Sequence, residues 1–328
     1  MSSFEAAGAS GLVGVPRGQL RLMVRVARLY HEVGRRQADI ASDLHISQAR
    51  VSRLLKRAAE LGIVRTTVTV PGGVHADLEE ALEERFGLGE AVVVDALGGE
   101  HDVARALGDA AAGYLESTLM GGERVGISSW SGNLLATVEA MRPSQTQVAE
   151  QVVQLLGGTG VPGVQLQANR LITLFAAATG AMPVLLPGPS LLGTVEARRA
   201  LARDPAVEQV SRLWGALTTA LVGVGTLKPS ELLEQSGSGV SEADQAVLRA
   251  AGAVGDVCLR FFDAAGSLVE SAVDQRVLGI SPSQLKAIPR RIGVAGGARK
   301  VSALRGALLG GWVNVLITDS DAAEQLLA

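Results

Sequence analysis

Gln48, Ser52, Arg53 and Lys56 lie within the stretch QADIASDLHISQARVSRLLKR at positions 37–57, which reads as two short helices joined by a tight turn, the second carrying them on a polar, basic outer face. The chemistry on offer is recognition of a nucleic acid. Gln48 and Arg53 are the expected base readers, because glutamine pairs bidentately with adenine and arginine with guanine in the major groove. Ser47, Ser52, Lys56, Arg35 and Arg36 suit phosphate oxygens, which set register without carrying sequence information. Gln37, Ala49 and Arg50 complete the set expected to face DNA.

A second kind of chemistry gathers farther along in short Ser/Gly stretches. Gly126-Ile127-Ser128-Ser129-Trp130-Ser131-Gly132-Asn133-Leu134 reads as a strand breaking into a turn before a helix. Backbone N–H groups and hydroxyls at such a point bind an anion or a polyol. Gly223-Val224-Gly225-Thr226 is another such turn, and Ala295-Gly296-Gly297-Ala298-Arg299-Lys300 adds a cation in the first turn of the following helix. Gln154 to Arg170, with Gly157-Gly158-Thr159-Gly160, contributes further polar groups. With Lys300 these loops fit a phosphorylated small molecule. There is no complete Walker A or dinucleotide fingerprint, so nucleotide binding lacks support.

The elements that must hold the basic face can be read from apolar spacing. Leu22, Val26, Leu29 and Val33 predict a first helix with one inward stripe, ended by Gly34. A second helix runs from about Gln37 to Leu44 with Ile40, Ala41 and Leu44 inward, Ala41 allowing a close crossing. His45-Ile46 turns the chain, histidine tolerating a left-handed backbone better than most residues. Ser47 caps a third helix that buries Val51, Leu54, Leu55 and Ala58. This is a helix-turn-helix whose third helix presents its first turns to the major groove.

Charge supports the division of labour. Residues 17–65 hold 11 Lys and Arg against 4 Asp and Glu, leaving the remainder with 19 against 29. A basic head on an acidic body suits a protein whose head alone meets polyanions. The single Cys258 excludes a disulfide framework and a cysteine metal cluster, and its apolar neighbours Val257 and Leu259 predict a buried thiol. The 47% apolar and 3% aromatic composition predicts an Ala/Val/Leu/Gly core. No apolar run reaches membrane-spanning length and no signal pattern opens the chain, so a cytoplasmic protein is expected.

The expected organisation is a disordered tail at 1–16, a winged helix-turn-helix at 17–71, a linker helix at 72–88 and an effector and oligomerisation domain at 89–328. Val64 to Val70 (VRTTVTV) reads as a short strand, a wing beside the DNA. Residues 74–86 form an acidic helix with Leu78, Leu82 and Phe86 on one stripe, expected to pack on the body. From residue 91, AVVVDAL, RVGISSW, QVVQLLGG, MPVLLPGP, LTTALVGVG, VCLRFFDAAG and NVLITD read as strands alternating with helices. Such runs imply an α/β, Rossmann-like and mostly parallel sheet, with ligands at the carboxyl ends of its strands.

The chain resembles SorC/DeoR-type sugar-responsive transcriptional regulators from about residue 20 to its end. The motifs that carry the resemblance are Gln37-Ala38-Asp39-Ile40-Ala41 and Ser47 to Lys56 in the head. In the body they are GISSWS at 126–131, QLLGG at 154–158, GAVGD at 252–256, RFFDAAG at 260–266, AGGARK at 295–300 and LITD at 316–319. The resemblance implies a winged helix-turn-helix joined to a domain similar to sugar-phosphate isomerases and glucosamine-phosphate deaminases. It also implies a phosphorylated sugar as effector and dimers or tetramers on paired operator sites. On the family pattern the Ser128 to Asn133 loop and the Gly296-Gly297…Lys300 loop face the phosphate, with Asp256 and Asp263 near the sugar hydroxyls or shaping the pocket. One departure stands out: Trp130-Ser131-Gly132-Asn133 replaces the family's Trp-Gly-Arg/Ser-Thr. An unphosphorylated sugar or polyol is therefore an alternative effector. No cofactor or metal is implied. The competing function, a DNA-tethered sugar-phosphate isomerase or deaminase, needs a positioned general base; all four histidines precede the first ligand loop, and Asp256, Asp263 and Asp319 are the candidates, which also suit a pocket-shaping role.

Overall fold

A computed structural model of the chain describes residues 15–64, 73–96, 98–158, 162–228 and 240–328. It divides into two compact units, residues 1–69 and 70–328. The strand expected over Val64 to Val70 falls, apart from Val64, outside the described residues, as does most of the tail at 1–16.

The first unit contains α1 (Arg17–His31), α2 (Gln37–Asp43) and α3 (Gln48–Glu60). Its core is Met23, Val26, Ala27, Ile40, Ala41, Val51, Leu54, Leu55 and Ala58. The α2 and α3 faces match the apolar spacing, but the first helix needs correction. Val33 is 64% exposed, while Met23 and Ala27 fill the inward face. The reason is that α1 stops at His31. Val33 N–H then folds back to the Arg28 carbonyl, and Gly34 turns left-handed with φ +74°, so Val33 never continues the stripe.

The second unit contains α4 (Ala76–Phe86), β1 (Glu90–Val94), α5 (Glu100–Thr118), β2 (Glu123–Ile127), α6 (Gly132–Ala140), β3 (Ala149–Gln154), α7 (Pro162–Thr179) and β4 (Met182–Val184). After them come α8 (Val195–Leu201), α9 (Pro205–Leu213), β5 (Thr219–Val222), β6 (Gly225–Thr226), α10 (Glu242–Ala250), β7 (Ala253–Val257) and β8 (Arg260–Asp263). The last elements are α11 (Ala272–Arg276), α12 (Pro282–Ala287), β9 (Arg290–Val294), α13 (Val301–Leu309), β10 (Val315–Asp319) and α14 (Ser320–Leu327). Seven strands form one parallel sheet in the order β1-β10-β9-β5-β2-β3-β4. Alternation along each strand feeds two cores: Leu221, Ile292, Val294 and Ile317 pack with α5, α6 and α7, whereas Ala220, Val222 and Leu316 pack on the other face. Both faces are covered, so β10 is buried along its whole length, Val315 to Ile317 being apolar.

The acidic α4 belongs to this core. Leu82 is buried, and Gly87 ends the helix with φ +65°. Its charges have a structural use: Glu79 accepts from Val93 N–H at 2.9 Å and Glu83 from Ala91 N–H at 2.9 Å, which caps the free edge of β1.

Two readings of the sheet are corrected. The run VCLRFFDAAG is no strand of the main sheet; β7 and β8 form an antiparallel hairpin, completed by β6, with Cys258 and Leu259 at its turn. Both turn residues adopt positive φ (+54° and +58°) although neither is glycine. The apolar sequence hid the reversal, because Cys258 and Leu259 are themselves buried. Conversely, β9 (RRIGV) begins with two arginines and was not read as a strand, yet it lies inside the sheet.

The strand order identifies the crevice. From β2 the chain steps outward to β3 and β4, then returns to the other side of β2 at β5. A ligand site is expected where the direction of winding reverses, beyond the carboxyl ends of β2 and β5.

Candidate functional site

In the head, Ser47 accepts from Arg50 N–H at 3.3 Å and caps α3, and His45 takes φ +53° as the turn requires. Gln48, Ala49, Arg50, Ser52, Arg53 and Lys56 are all exposed, opposite the buried Val51, Leu54, Leu55 and Ala58. Arg36 is the N-cap residue of α2 and Gln37 its first residue. Arg35 forms an ion pair with Asp43, so a phosphate would have to compete for it. Among the described residues, Arg36, Arg50, Arg53 and Lys56 make no ion pair. The face therefore sets Gln48 and Arg53 beside cations without ion-pair partners among the described residues. Arg53→Ala is expected to cost about 1–3 kcal/mol on operator DNA and to relax base choice. Lys56→Ala should weaken operator and random duplexes alike and lower the salt slope by about 1. Fluorescence-anisotropy titrations at several salt concentrations measure both.

In the body, the three post-strand loops meet at the crevice. Ser128 N–H donates to the Leu221 carbonyl at 3.1 Å and Gly223 N–H to Ser128 Oγ at 3.4 Å, joining the turns after β2 and β5. Ser129 Oγ donates to the Leu156 carbonyl at 2.9 Å, and Trp130 Nε1 donates to the Gly157 carbonyl at 3.1 Å and to Ser190 Oγ at 2.7 Å. Ser131 caps α6, and Asn133 Nδ2 reaches the Val294 carbonyl at 3.2 Å. These side chains thus brace the loop, and the altered Trp130-Ser131-Gly132-Asn133 segment ties β2 to the strand that leads to Gly296.

Glycines let carboxylates pack directly against the loop backbone. A Cβ added to Gly225 would lie 2.1 Å from Asp256 Oδ1, and one on Gly296 2.0 Å from Asp319 Oδ2. Gly126 similarly leaves room for Leu155 and Leu217 beneath the first loop. At Gly297 the backbone is left-handed (φ +87°), and its N–H donates to Asp319 Oδ2 at 2.6 Å. Gly132 opens α6.

Lys300 and Asp256 supply the charge. Asp256 retains some exposure but protein crowds it. Burial raises its pKa to about 6, partly opposed by the Leu259 N–H at 2.9 Å and by Lys300. Burial lowers the Lys300 pKa, Asp256 acting against the shift, Arg299 with it and Glu100 against it. Arg299 itself pairs with Glu100 at 2.5 Å. Among the described residues the Lys300 ammonium makes no ion pair or hydrogen bond, so each charge feels the other without contact. A half-buried cation without a contacting anion in a Gly-rich loop is chemically able to take an anion from outside.

Asp263 stands apart from this group. Its Oδ1 accepts from Ala265 N–H at 3.0 Å and Ser267 N–H at 2.9 Å, which shapes the turn after β8. Gln154, Gly157 and Gly158 line the turn after β3, while Thr159 and Gly160 lie outside the described residues. Two residues outside the expected effector contacts, Asp319 and Ser190, organise the site. Asp319 also caps α14 through Ala322 N–H at 3.0 Å, and an aspartate after an apolar strand and before Ser-Asp-Ala-Ala is a readable cap signal. Ser190, the partner of Trp130, has no such signal.

Two shallow grooves of about 200 and 350 Å³ occupy the opposite end of the sheet, sharing Met141, Pro143 and Ala178. Their charged rim is already engaged, Arg170 with Glu139 at 2.9 Å and Glu116 with Arg142 N–H at 2.7 Å. The Gly-rich loops, Asp256 and Lys300 lie at the other end. Cys258 is buried and its thiol is pushed up to about 12, first by burial and then by Asp256. It should not react with a disulfide reagent in native protein at pH 8, whereas one thiol should titrate after denaturation. Among the described residues no group of three or more His, Cys, Asp or Glu is placed to hold a metal, and no helix is long and apolar enough to cross a membrane.

Comparison with known proteins bears on both units. Residues 73–328 match the family described as "Putative sugar-binding domain". The deoxyribonucleoside regulator of Bacillus subtilis is 37% identical over 316 residues, covering 95% of this chain and 98% of that protein. The sorbitol operon regulator of Klebsiella pneumoniae is 33% identical, covering 94% of this chain and 98% of that one. The crystal structure of that full-length regulator, SorC, superposes with a TM-score of 0.71 at 32% identity, covering 95% of this chain and all of the other. A helix-turn-helix head, a parallel sheet with Gly-rich loops at its switch point and full-length similarity to operon regulators agree: the chain belongs to the SorC/DeoR-type transcriptional regulators with a sugar-binding domain.

Proposed function

We propose that the protein binds operator DNA through α3 and that a sugar phosphate or polyol phosphate, seated at the carboxyl ends of β2, β5 and β9, controls that binding. The observation that carries this reading is Lys300, a crowded cation without a contacting anion, facing Asp256 across glycine-lined loops. Lys300, beside the Gly296-Gly297 turn, holds the phosphate, and Asp256 accepts from a sugar hydroxyl; the Gly297 N–H stays with Asp319. Ser131 and Asn133 are occupied in bracing, so they support the loop instead of contacting the ligand. The names of the relatives, a deoxyribonucleoside regulator and a sorbitol operon regulator, favour a carbohydrate-derived effector and a sensing role over turnover.

The protein acts as a dimer or tetramer. Two recognition helices must match half-sites about 34–36 Å apart, and an effector that changes their placement changes affinity. The change equals its differential affinity for the two arrangements, typically about 1–3 kcal/mol.

Thermal stability against paired sugars, polyols and their phosphates tests the reading. A ligand that binds only folded protein stabilises it by about 2.7 kcal/mol at a hundred times its Kd. A shift with one phosphate ester and none with its parent is the expected result. A shift with the parent alone would replace the phosphate by a neutral effector, and turnover of any sugar phosphate would move the protein to the isomerase or deaminase class.

A further inference from the structure

We propose that the side-chain amide of Gln154 is the specificity-determining donor for an oxygen at the end of the effector remote from its anionic group. The inference rests on the effector reading above. Gln154 ends β3 and is 1% exposed. Its Oε1 accepts from Leu186 N–H at 2.7 Å, which fixes the orientation of the amide and leaves Nε2 as the other terminus. Its backbone carbonyl is taken by the Trp214 indole N–H at 2.9 Å. Nε2 is fully buried and has no hydrogen-bond partner among the described residues. Folded proteins rarely strand a buried donor, because its lost hydration is not repaid, so an orphan of this kind calls for an external acceptor.

The amide lies against a residue without a side chain: a Cβ built on Gly158 would fall 2.6 Å from Gln154 Nε2, so a larger residue at 158 would displace the amide. The Asp256 carboxylate packs in the same way against Gly225.

Strand order sets the length of the ligand. Gln154 lies at the end of β3 and Lys300 follows β9, with β5 and β2 between them. Three strand spacings amount to about 14 Å. A molecule touching both ends must extend across the crevice, as an open-chain pentose or hexose phosphate does and inorganic phosphate does not. A donor reading a ligand oxygen discriminates strongly against analogues that lack it, because the buried N–H is then left unpaired.

Two variants separate this role from general packing. Gln154→Glu keeps the acceptor for Leu186 and removes the donor; Gly158→Ala sets a Cβ against Nε2 and displaces the amide. Full-length protein is titrated calorimetrically with 2-deoxyribose 5-phosphate, sorbitol 6-phosphate, glucose 6-phosphate and inorganic phosphate, and operator affinity is measured without effector. For a sugar phosphate that binds the wild type, both variants should bind about ten- to a hundredfold more weakly. Inorganic phosphate and operator affinity should stay unchanged. Wild-type affinity in both variants overturns the proposal. So does an equal loss for inorganic phosphate, which would mean that the whole crevice had shifted. If the wild type binds none of the three esters, the sugar-phosphate reading fails first and Gln154 loses its assigned role with it. A crystal structure with the bound ester and an ordered water on Nε2 in place of a ligand oxygen also overturns it.

Discussion

Lys300→Met should abolish the response to a phosphorylated effector while leaving operator binding in its absence intact. The ammonium is the charged group the Gly-rich loop presents without a contacting partner, and methionine matches its length without its charge. Removing one member of a buried charge pair costs about 2–4 kcal/mol, or roughly 30- to 1,000-fold in Kd, because the phosphate is then desolvated against no cation. The free protein should not suffer. Burial lowers the Lys300 pKa, so the folded state pays to hold this charge below its folded pKa and is relieved as pH rises through it. Unliganded Lys300→Met should therefore be as stable as wild type or slightly more so at pH 7. Losing Lys300 also removes a favourable charge from Asp256, whose pKa should rise further. Thermal-shift titration with the effector, beside anisotropy on operator DNA, reads these effects together. Unchanged effector affinity would place the phosphate elsewhere and leave the loop merely structural.

The head was legible because its constraints are local. Cap, turn and buried face of α3 lie within one stretch of sequence, and Ser47, His45 and Val51 to Ala58 each occupy the state their chemistry requires. Val33 misled because periodicity alone does not register that Gly34 ends the helix before its last apolar residue can join the face. In the body, strands with apolar residues on both faces were visible, but their neighbours were not. Whether an apolar run crosses the sheet or doubles back on itself depends on backbone reversal at Cys258 and Leu259, residues with no turn signature. The arginines of β9 concealed a central strand because only its later residues, Ile292 to Val294, are fully buried. Glycine-rich loops could be located from sequence. Which polar atom each glycine faces could not, since Asp256, Asp319 and Gln154 reach those positions from elsewhere in the chain or from several residues away.

Asp256→Asn should make the protein more stable and less responsive at once. Its carboxyl is raised to about 6 by burial, against an ordinary value of 3.8, so the folded state binds the proton more tightly than the unfolded chain. The sign follows from linkage. The stabilisation from proton uptake is complete below about 3.8 and is lost as pH rises through about 6, leaving the ionised group as a cost at neutral pH. Two units correspond to about 3 kcal/mol, and the partial exposure of the residue reduces that to roughly 2. Asparagine keeps the size and the acceptor for Leu259 N–H without the charge. Denaturant titrations should therefore show a gain of roughly 2 kcal/mol at pH 8 that shrinks as pH falls below 6 and disappears below 3.8. Effector affinity should fall in the same variant, because a charged acceptor facing the ligand has become a neutral amide. A cost in stability retained at one carboxylate is what a binding site leaves behind when its charge awaits a partner. Loss of stability at pH 8, with effector affinity preserved, would instead make Asp256 a structural residue of the β7–β8 hairpin.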